Sequence, residues 1–584
     1  IKISNEITSF DKSNFTLCDY RKNDKCPPWT IQSANMLHDR KKKTIYYKNA
    51  LIKVYDIPVF FTPRLSHPDP SVDRRSGFLV PSFEDTKNLG EGLKIPYFWA
   101  IGKDKDLTLT SKLYVSENPL FLGEYRHVFE NSNLILDFGF TEGYKKTSAV
   151  KTSDQKTHFF SKFVKNFYNY ENRSENTLSI TTQEVSNDKY FKLYKINSEL
   201  VDDGIDTLKN TLSFTHSSDK NFFGLDASMY ETLKSGYNDK YEYIYPELTF
   251  NKSLLSSPTF GSIDLDSNLK IRNYDTNKTS KFLVNNLDWN SIQKNFNSGI
   301  QTQFLSKIKN INYEAKNIEE FKENTTNEIF GALGLLTKLD LYKKIENFSE
   351  HYFSPKILLR YAPGQMKKET SKTKLNPSKA FDLNRLNNNN NFETGLSATV
   401  GFDYEIRKQN QKIDLSIGQI INQKENKNMP TSMGLDEKMS DIVGNTKFTI
   451  NDNFNLNYNF AIDQNYKDLN YNEINAKANS TLFDFDVSYL QEKKHIGNNE
   501  YIKSKIDYKV SKGTNLTYEF KRNLITNSSE FYNLGYEYAN DCLRAGLVYR
   551  REFYNDSEIE AENSLMFKIT LVPFGNLNSP KLNK

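Results

Sequence analysis

Histidines are the first place to look for acid–base or metal chemistry, and the seven here are scattered: His38, His67, His127, His158, His216, His351 and His495. None falls in an HExxH or other paired-ligand spacing, and neither a GxSxG elbow nor a phosphate-binding glycine loop occurs. The nearest approach to a Ser–His–Asp grouping is THSSDK, from Thr215 to Lys220, and it reads as a loop. These residues predict no enzyme, no metal and no cofactor.

Chemistry of another kind is concentrated between Arg74 and Val115. Leu107, Leu109, Leu113 and Val115 alternate with Thr108, Thr110 and Lys112, as in a strand with two unlike faces. The preceding stretch looks equally extended, yet it carries Pro81 after Gly77 and Phe78, and then Pro96. Proline brings no N–H to a ladder and is normally kept to edges or bulges. Two readings follow: bulges near the rim of a sheet, or a deliberately weak seam. Basic residues at 40–43, and the pair Arg74 and Arg75, could meet phosphates or be solvated turns. Ile31, Ile52, Val54 and Val59 line up as either a sheet core or an apolar groove.

The elements that would position these groups are strands. Charged residues make up 26% and hydrophobic ones only 37%, with a mean hydropathy of −0.69. That balance suggests a soluble or disordered chain, but 41 Phe and 35 Tyr argue against disorder. A sheet greasy on one face and wet on the other reconciles the two facts. Period-2 alternation recurs to the end of the chain: Leu134 to Phe140, Leu396 to Ile406, Phe454 to Phe460, Phe483 to Tyr489 and Leu543 to Phe553. The stretch SIQKNFNSGIQTQFLSKIKNINYEA (291–315) fits a helix about as well as two strands and a turn.

No fixed repeat of roughly 40–50 residues supports a propeller. No apolar run is long enough for a membrane-crossing helix, and a net charge of +5 from 78 basic and 73 acidic residues gives no case for nucleic acid. Acidic residues in mid-strand, such as Glu405, Asp484 and Asp486, suit a water-filled lumen better than a dry core. The prediction is all-β: a large antiparallel transmembrane barrel of about 26 strands, within a range of roughly 24–28. Its longest loops fall at 142–157, 362–391 and 421–445. The chain opens on Ile1 without a signal-peptide pattern and reads as a mature or truncated chain. Residues 1–65 are denser and precede a Pro-rich linker at 66–75, so the barrel is assigned to 76–584.

The motifs DIPVFFTPRLSHPDPSVDRRSGFLVPSF, GLKIPYFWAIGKDKDLTLTSKLY and GEYRH, followed by IYPEL, LDW, MGLDEKMSDIVG and YANDCLRAGLVYRREFY, resemble the LptD (OstA/Imp) family of LPS-assembly outer-membrane proteins. The resemblance implies a cell outer-membrane location. It implies that 1–65 is the C-terminal part of a periplasmic β-jellyroll, with the start of that sheet missing. It implies a translocon that inserts lipopolysaccharide into the outer leaflet through a lateral gate between the first and last strands, at Gly77, Phe78, Pro81 and Pro96. Residues 76–83 are then expected to pair with about 563–572. Ile31, Ile52, Val54 and Val59 become the lipid groove, and Arg74 and Arg75 the phosphate contacts. Implied partners are lipopolysaccharide, an LptE-like plug lipoprotein, an LptA/LptC-type jellyroll bridge and the barrel-assembly machinery. Of the three cysteines, a Cys18–Cys542 bridge is the family's match, with Cys26–Cys542 or Cys18–Cys26 as alternatives. A generic outer-membrane porin or transporter barrel is the competing function.

Overall fold

In a computed structural model the chain is almost entirely β. The structure describes residues 2–571 except 5, 19–26, 70, 73, 149–150, 172, 235, 346–348, 372–373, 452, 494–496, 541 and 555–558. An N-terminal antiparallel sheet is formed by β1 (Lys2–Ile3), β2 (Ile7–Phe15), β3 (Trp29–Asp39), β4 (Thr44–Val54) and β5 (Ile57–Pro68), hydrogen-bonded in that order. From Gly77 to Leu571 the remaining strands close into one antiparallel barrel. Twenty-nine segments build it, and three of them continue a neighbouring segment along the same partner strand, which leaves twenty-six strands. The stretch 291–315 is strand: Ile300–Lys316 pairs along its length with Thr279–Asn290 and Thr326–Leu339.

Alternation sets the two faces of the wall. On the third barrel strand (Lys105–Tyr114), Leu109 and Leu113 are exposed while Asp106, Thr108 and Lys112 are buried. A soluble protein would invert that pattern. In a membrane barrel the apolar face meets hydrocarbon and the polar face the lumen. The mid-strand carboxylates follow the rule. Asp486 pairs with Lys477 at 3.0 Å, on the face where Lys374 of the 363–394 loop reaches Glu473. Asp484 meets Lys509 at 2.8 Å, and Glu405 is flanked by Arg407 and Lys412.

The long loops at the end remote from the N-terminal sheet fold inward. In loop 363–394, the short helix α2 (Pro377–Ala380) places Ala380 in a buried cluster with Met429, Met433, Leu435 and Val443. Phe392 stacks on Phe330 at 5.8 Å among Val284, Ile311 and Ala332 of the inner wall. Arg385 and Arg360, both buried, converge on Glu393. A third inward loop was not singled out from sequence. It spans 186–206 and carries α1 (Tyr190–Tyr194), with Tyr190, Phe191, Leu193 and Tyr194 packed on Phe160, Leu120 and Leu89. Four buried side chains on a five-residue helix leave no helical period long enough to read.

Candidate functional site

The barrel closes where its last strand, Glu562–Leu571, meets its first, and that closure is uneven. Antiparallel pairing runs over five residue pairs, from Ser564↔Thr86 to Lys568↔Ser82, and stops. The same last strand pairs over ten residues with the penultimate one, Leu543–Glu552. Ile569 and Thr570 therefore have partners on one side only among the described residues. At about one ladder bond per pair and 0.5–1.5 kcal/mol each, the shortfall is roughly 3–7 kcal/mol.

The interruption originates in the first strand. Gly77 and Phe78 face Phe98 and Tyr97 of the second strand (Gly90–Trp99), whereas Ser82 faces Lys94. Three residues lie between Phe78 and Ser82, but only two between Tyr97 and Lys94. One extra residue is thus bulged out at Leu79–Pro81, and a bulge leaves its strand bent and its ladder broken. Pro96 weakens the same level from the other side. Leu79 donates its N–H to the Pro96 carbonyl at 2.8 Å, and proline has no N–H to return. The lower half of the first strand is held by little: Phe78 is 77% exposed and touches Tyr97 edge-on, and a Cβ on Gly77 would meet nothing within 4 Å. Residues 76–83 were expected against the last strand; the pairing observed is offset to 82–86.

The far end of the same seam is fastened. Asn88, in the turn after the first strand, donates to the Glu562 carboxylate at 2.6 Å and accepts from the Glu560 N–H at 3.0 Å. Lys87 and Lys151 flank Glu560, and they hold its carboxyl below the usual range. Lys195, just past α1, bridges Glu562 and Glu552 and donates to Ser564. The seam is latched at one end and open at the other.

The open end lies beside the N-terminal sheet. Cys18 and Cys542 form a disulfide, which ties the sheet to the turn before the penultimate strand. Trp29, fully buried, donates its indole N–H to the Cys542 carbonyl at 2.8 Å. Cys26 lies outside the described residues. Arg74 donates to the carbonyls of Gly102 and Lys103 and pairs with buried Asp106, which Arg126 also grips through two bonds. Arg75 donates to the carbonyls of Lys42 and Lys43 and to Thr44 Oγ1. The two arginines thus anchor the linker, one to the barrel and one to the β3–β4 turn.

The four apolar candidates in the sheet separate. Ile31 is buried in a cluster with Trp29, Ile45, Tyr47 and Ala50, and Ile52 packs against it. Val54 is half-buried, and Val59 is exposed in a run with Ile57, Phe60 and Phe61. That exposed run on edge strand β5 was only partly anticipated; its signal was the unbroken apolar stretch IPVFF.

Several known proteins are similar. The family model described as LPS transport system D matches residues 161–524. A curated relative, the LPS-assembly protein LptD of Francisella tularensis subsp. holarctica (strain OSU18), is 30% identical over 194 residues, 31% of this chain and 22% of the relative. Its counterpart in Pectobacterium atrosepticum is 29% identical over 154 residues, covering 26% of this chain and 19% of the relative. The chain therefore matches only about a fifth of the length of these relatives. The ferric preacinetobactin receptor BauA of Acinetobacter baumannii superposes over 92% of this chain and 85% of its own, at 8% identity and a TM-score of 0.30. A likeness that slight carries no argument.

Proposed function

Because the chain belongs to the LPS transport system D family and its closed antiparallel barrel is an outer-membrane structure, we propose that it is a translocon passing lipopolysaccharide sideways into the outer leaflet. In this reading residues 1–65 are the last part of a periplasmic jellyroll, 66–75 a linker and 76–584 the barrel. The observation that carries it is the seam whose pairing ends at Ser82↔Lys568. An open strand edge cannot face hydrocarbon unsatisfied. The bare N–H and C=O groups beside Pro81 must be met by lumen water or by a polar guest, and either makes this the easiest place for a lipid to part the wall.

The path follows from the two faces. Acyl chains leave the sheet along Ile57 and Phe60, which lie opposite Val54 and Ile52 on the face of Ile31, with Val59 at the bulge between them. They then enter the bilayer between Gly77–Pro81 and the end of the last strand. The sugar crosses the polar lumen. Arg74 and Arg75 hold the junction through which the lipid passes and stand close enough to meet its phosphates. The barrel supplies guidance and no energy, so the push comes from other members of a transport chain. An LptA/LptC-type jellyroll bridge, an LptE-like plug lipoprotein and the barrel-assembly machinery are the partners this role requires.

The test is to lock the seam. Phe83 and Phe567 are directly opposite across it, and both are exposed on the outer face. Phe83→Cys with Phe567→Cys should stop surface delivery of lipopolysaccharide when oxidised and restore it on reduction. Wild type and each single variant, treated alike, account for reduction of the native bridge. Undiminished delivery through a verified crosslink would leave a generic porin or transporter as the function.

A further inference from the structure

We infer that a row of lysines crossing the seam on the lumen face, Lys568, Lys94 and Lys112, is a binding site for the phosphate-bearing sugar of a glycolipid in transit. The inference rests on the translocon reading and deepens it. Register places the row: Lys568 faces Ser82, Ser82 faces Lys94, and Lys94 faces Lys112, on four successive strands. Strands lie about 4.8 Å apart, so three ammonium groups occupy a band on the order of 15 Å wide. The face is the inner one. Ser564, two turns of the pleat along from Lys568, meets the inward loop through Lys195, and Lys112 donates to the Tyr194 carbonyl at 2.9 Å.

Like charges directly opposite across a ladder destabilise it, as Lys94 and Lys112 must. Elsewhere the lumen wall answers its lysines: Lys270 meets Glu247, Lys307 meets Asp288, Lys356 meets Asp403 and Lys477 meets Asp486, all within 3.2 Å. At the seam the nearby carboxylates are already taken: Glu84 by Lys112 at 3.3 Å and by the Tyr114 hydroxyl at 3.2 Å, and Glu537, opposite Gly546, by Arg544 at 3.4 Å. Lys94 and Lys568 make no hydrogen bond or ion pair among the described residues. The ground around them is clear: Ser82 stands between them, and Gly546, opposite Lys568, would let a Cβ meet nothing within 4 Å.

Two unanswered cations over a small-residue floor suit a dianionic group, with each ammonium acting as a point charge on phosphate oxygens. Height adds to the case. The row lies at the last paired position of the seam, immediately above the gap. A phosphate held there leaves its acyl chains level with the opening beside Pro81, so head and tails are sorted to the two sides of one wall.

The test uses the full chain in detergent and titrates lipopolysaccharide, the same lipopolysaccharide after phosphatase treatment, and inorganic phosphate. Wild type is compared with Lys94→Gln/Lys568→Gln and with Lys94→Arg/Lys568→Arg. An unchanged heat-modifiable band on gels certifies each barrel. The Gln pair should bind lipopolysaccharide about tenfold more weakly and the Arg pair near wild type. Removing the phosphates should weaken wild type by a similar factor and leave the Gln pair unmoved. Equal affinity in wild type and the Gln pair overturns the site, as does an equal loss for the dephosphorylated ligand. Displacement by inorganic phosphate at matching concentration overturns the assignment to a glycolipid. If wild type fails to bind lipopolysaccharide at all, the translocon reading itself is what falls.

Discussion

Single residues show where this fold commits charge to dry places, and the commitments can be tested one at a time. His67 on β5 accepts from the Tyr47 hydroxyl at 2.7 Å through Nε2 and donates from Nδ1 to the Pro68 carbonyl at 2.7 Å. Burial lowers its titration from 6.5 to about 4, against an opposing pull from the Pro68 carbonyl. The unfolded chain therefore takes up this proton first. The stabilisation is complete above pH 6.5 and is lost as pH falls through 6.5 towards 4, by at most about 3 kcal/mol. The amide protection factors in β4 and β5 should fall over that window, and His67→Gln should flatten the dependence. In loop 363–394, Arg385 and Arg360 hold the Glu393 carboxyl below its usual range despite burial, which acts to raise it. Glu393→Gln leaves two buried guanidinium groups facing a neutral amide. We expect a loss of about 3–5 kcal/mol in that loop's docking, read as faster proteolysis between 363 and 394. Histidine and arginine positions were visible in the sequence, but their partners were not. Glu393 lies eight residues from Arg385 across an irregular loop whose path no periodicity encodes.

At the scale of the strand, Pro81 and Pro96 were readable as trouble for a ladder, and residue types alone could not choose between a bulge and a seam. The register shows that both readings describe one object: the bulge at Leu79–Pro81 is what ends the seam's pairing. Alternation exposed the strands because a period of two survives in single sequences. The offset of the closing pair, 82–86 rather than 76–83, was hidden because a one-residue bulge leaves no mark in composition. Loop 186–206 was missed for a related reason. Its buried aromatics sit among Asn, Asp and Lys, which read as a turn. Pro96→Ala would give the second strand the N–H it lacks and let Leu79 be bonded in both directions. That should add about 0.5–1.5 kcal/mol to the lower first strand. On the translocon reading, slower exchange at residues 77–80 together with reduced lipopolysaccharide delivery is the expected pair of results; slower exchange with full delivery would separate the bulge from transport.

For the molecule as a whole, what matters is that two β-structures of different kinds are held at one mouth. The barrel is closed by its own strands, and the attachments of the sheet include the Cys18–Cys542 bridge, the Trp29 bond to Cys542, and Arg75 on the β3–β4 turn. Tyr55 adds a hydroxyl contact to Tyr538 at 2.8 Å, on the turn side of the strand before Cys542. The bridge spans 524 residues of sequence, but with the barrel still folded the chain free to move is the short segment between β5 and Gly77, so in the chain-entropy account the bridge holds the docked state by about 2–3 kcal/mol. Cys18→Ser with Cys542→Ser should therefore free the sheet without opening the barrel. Two measurements separate those outcomes. The heat-modifiable barrel band should be unchanged, while protease cleavage between 69 and 76, after β5, should rise about tenfold or more, because each 1.4 kcal/mol lost is a factor of ten in the undocked population. On the translocon reading, delivery of lipopolysaccharide should fall with docking, since the sheet would no longer be held at the mouth of the barrel. Equal protection of the linker in the serine variant would mean that Trp29 and Arg75 suffice to dock the sheet. The bridge would then belong to assembly of the pair and not to its upkeep.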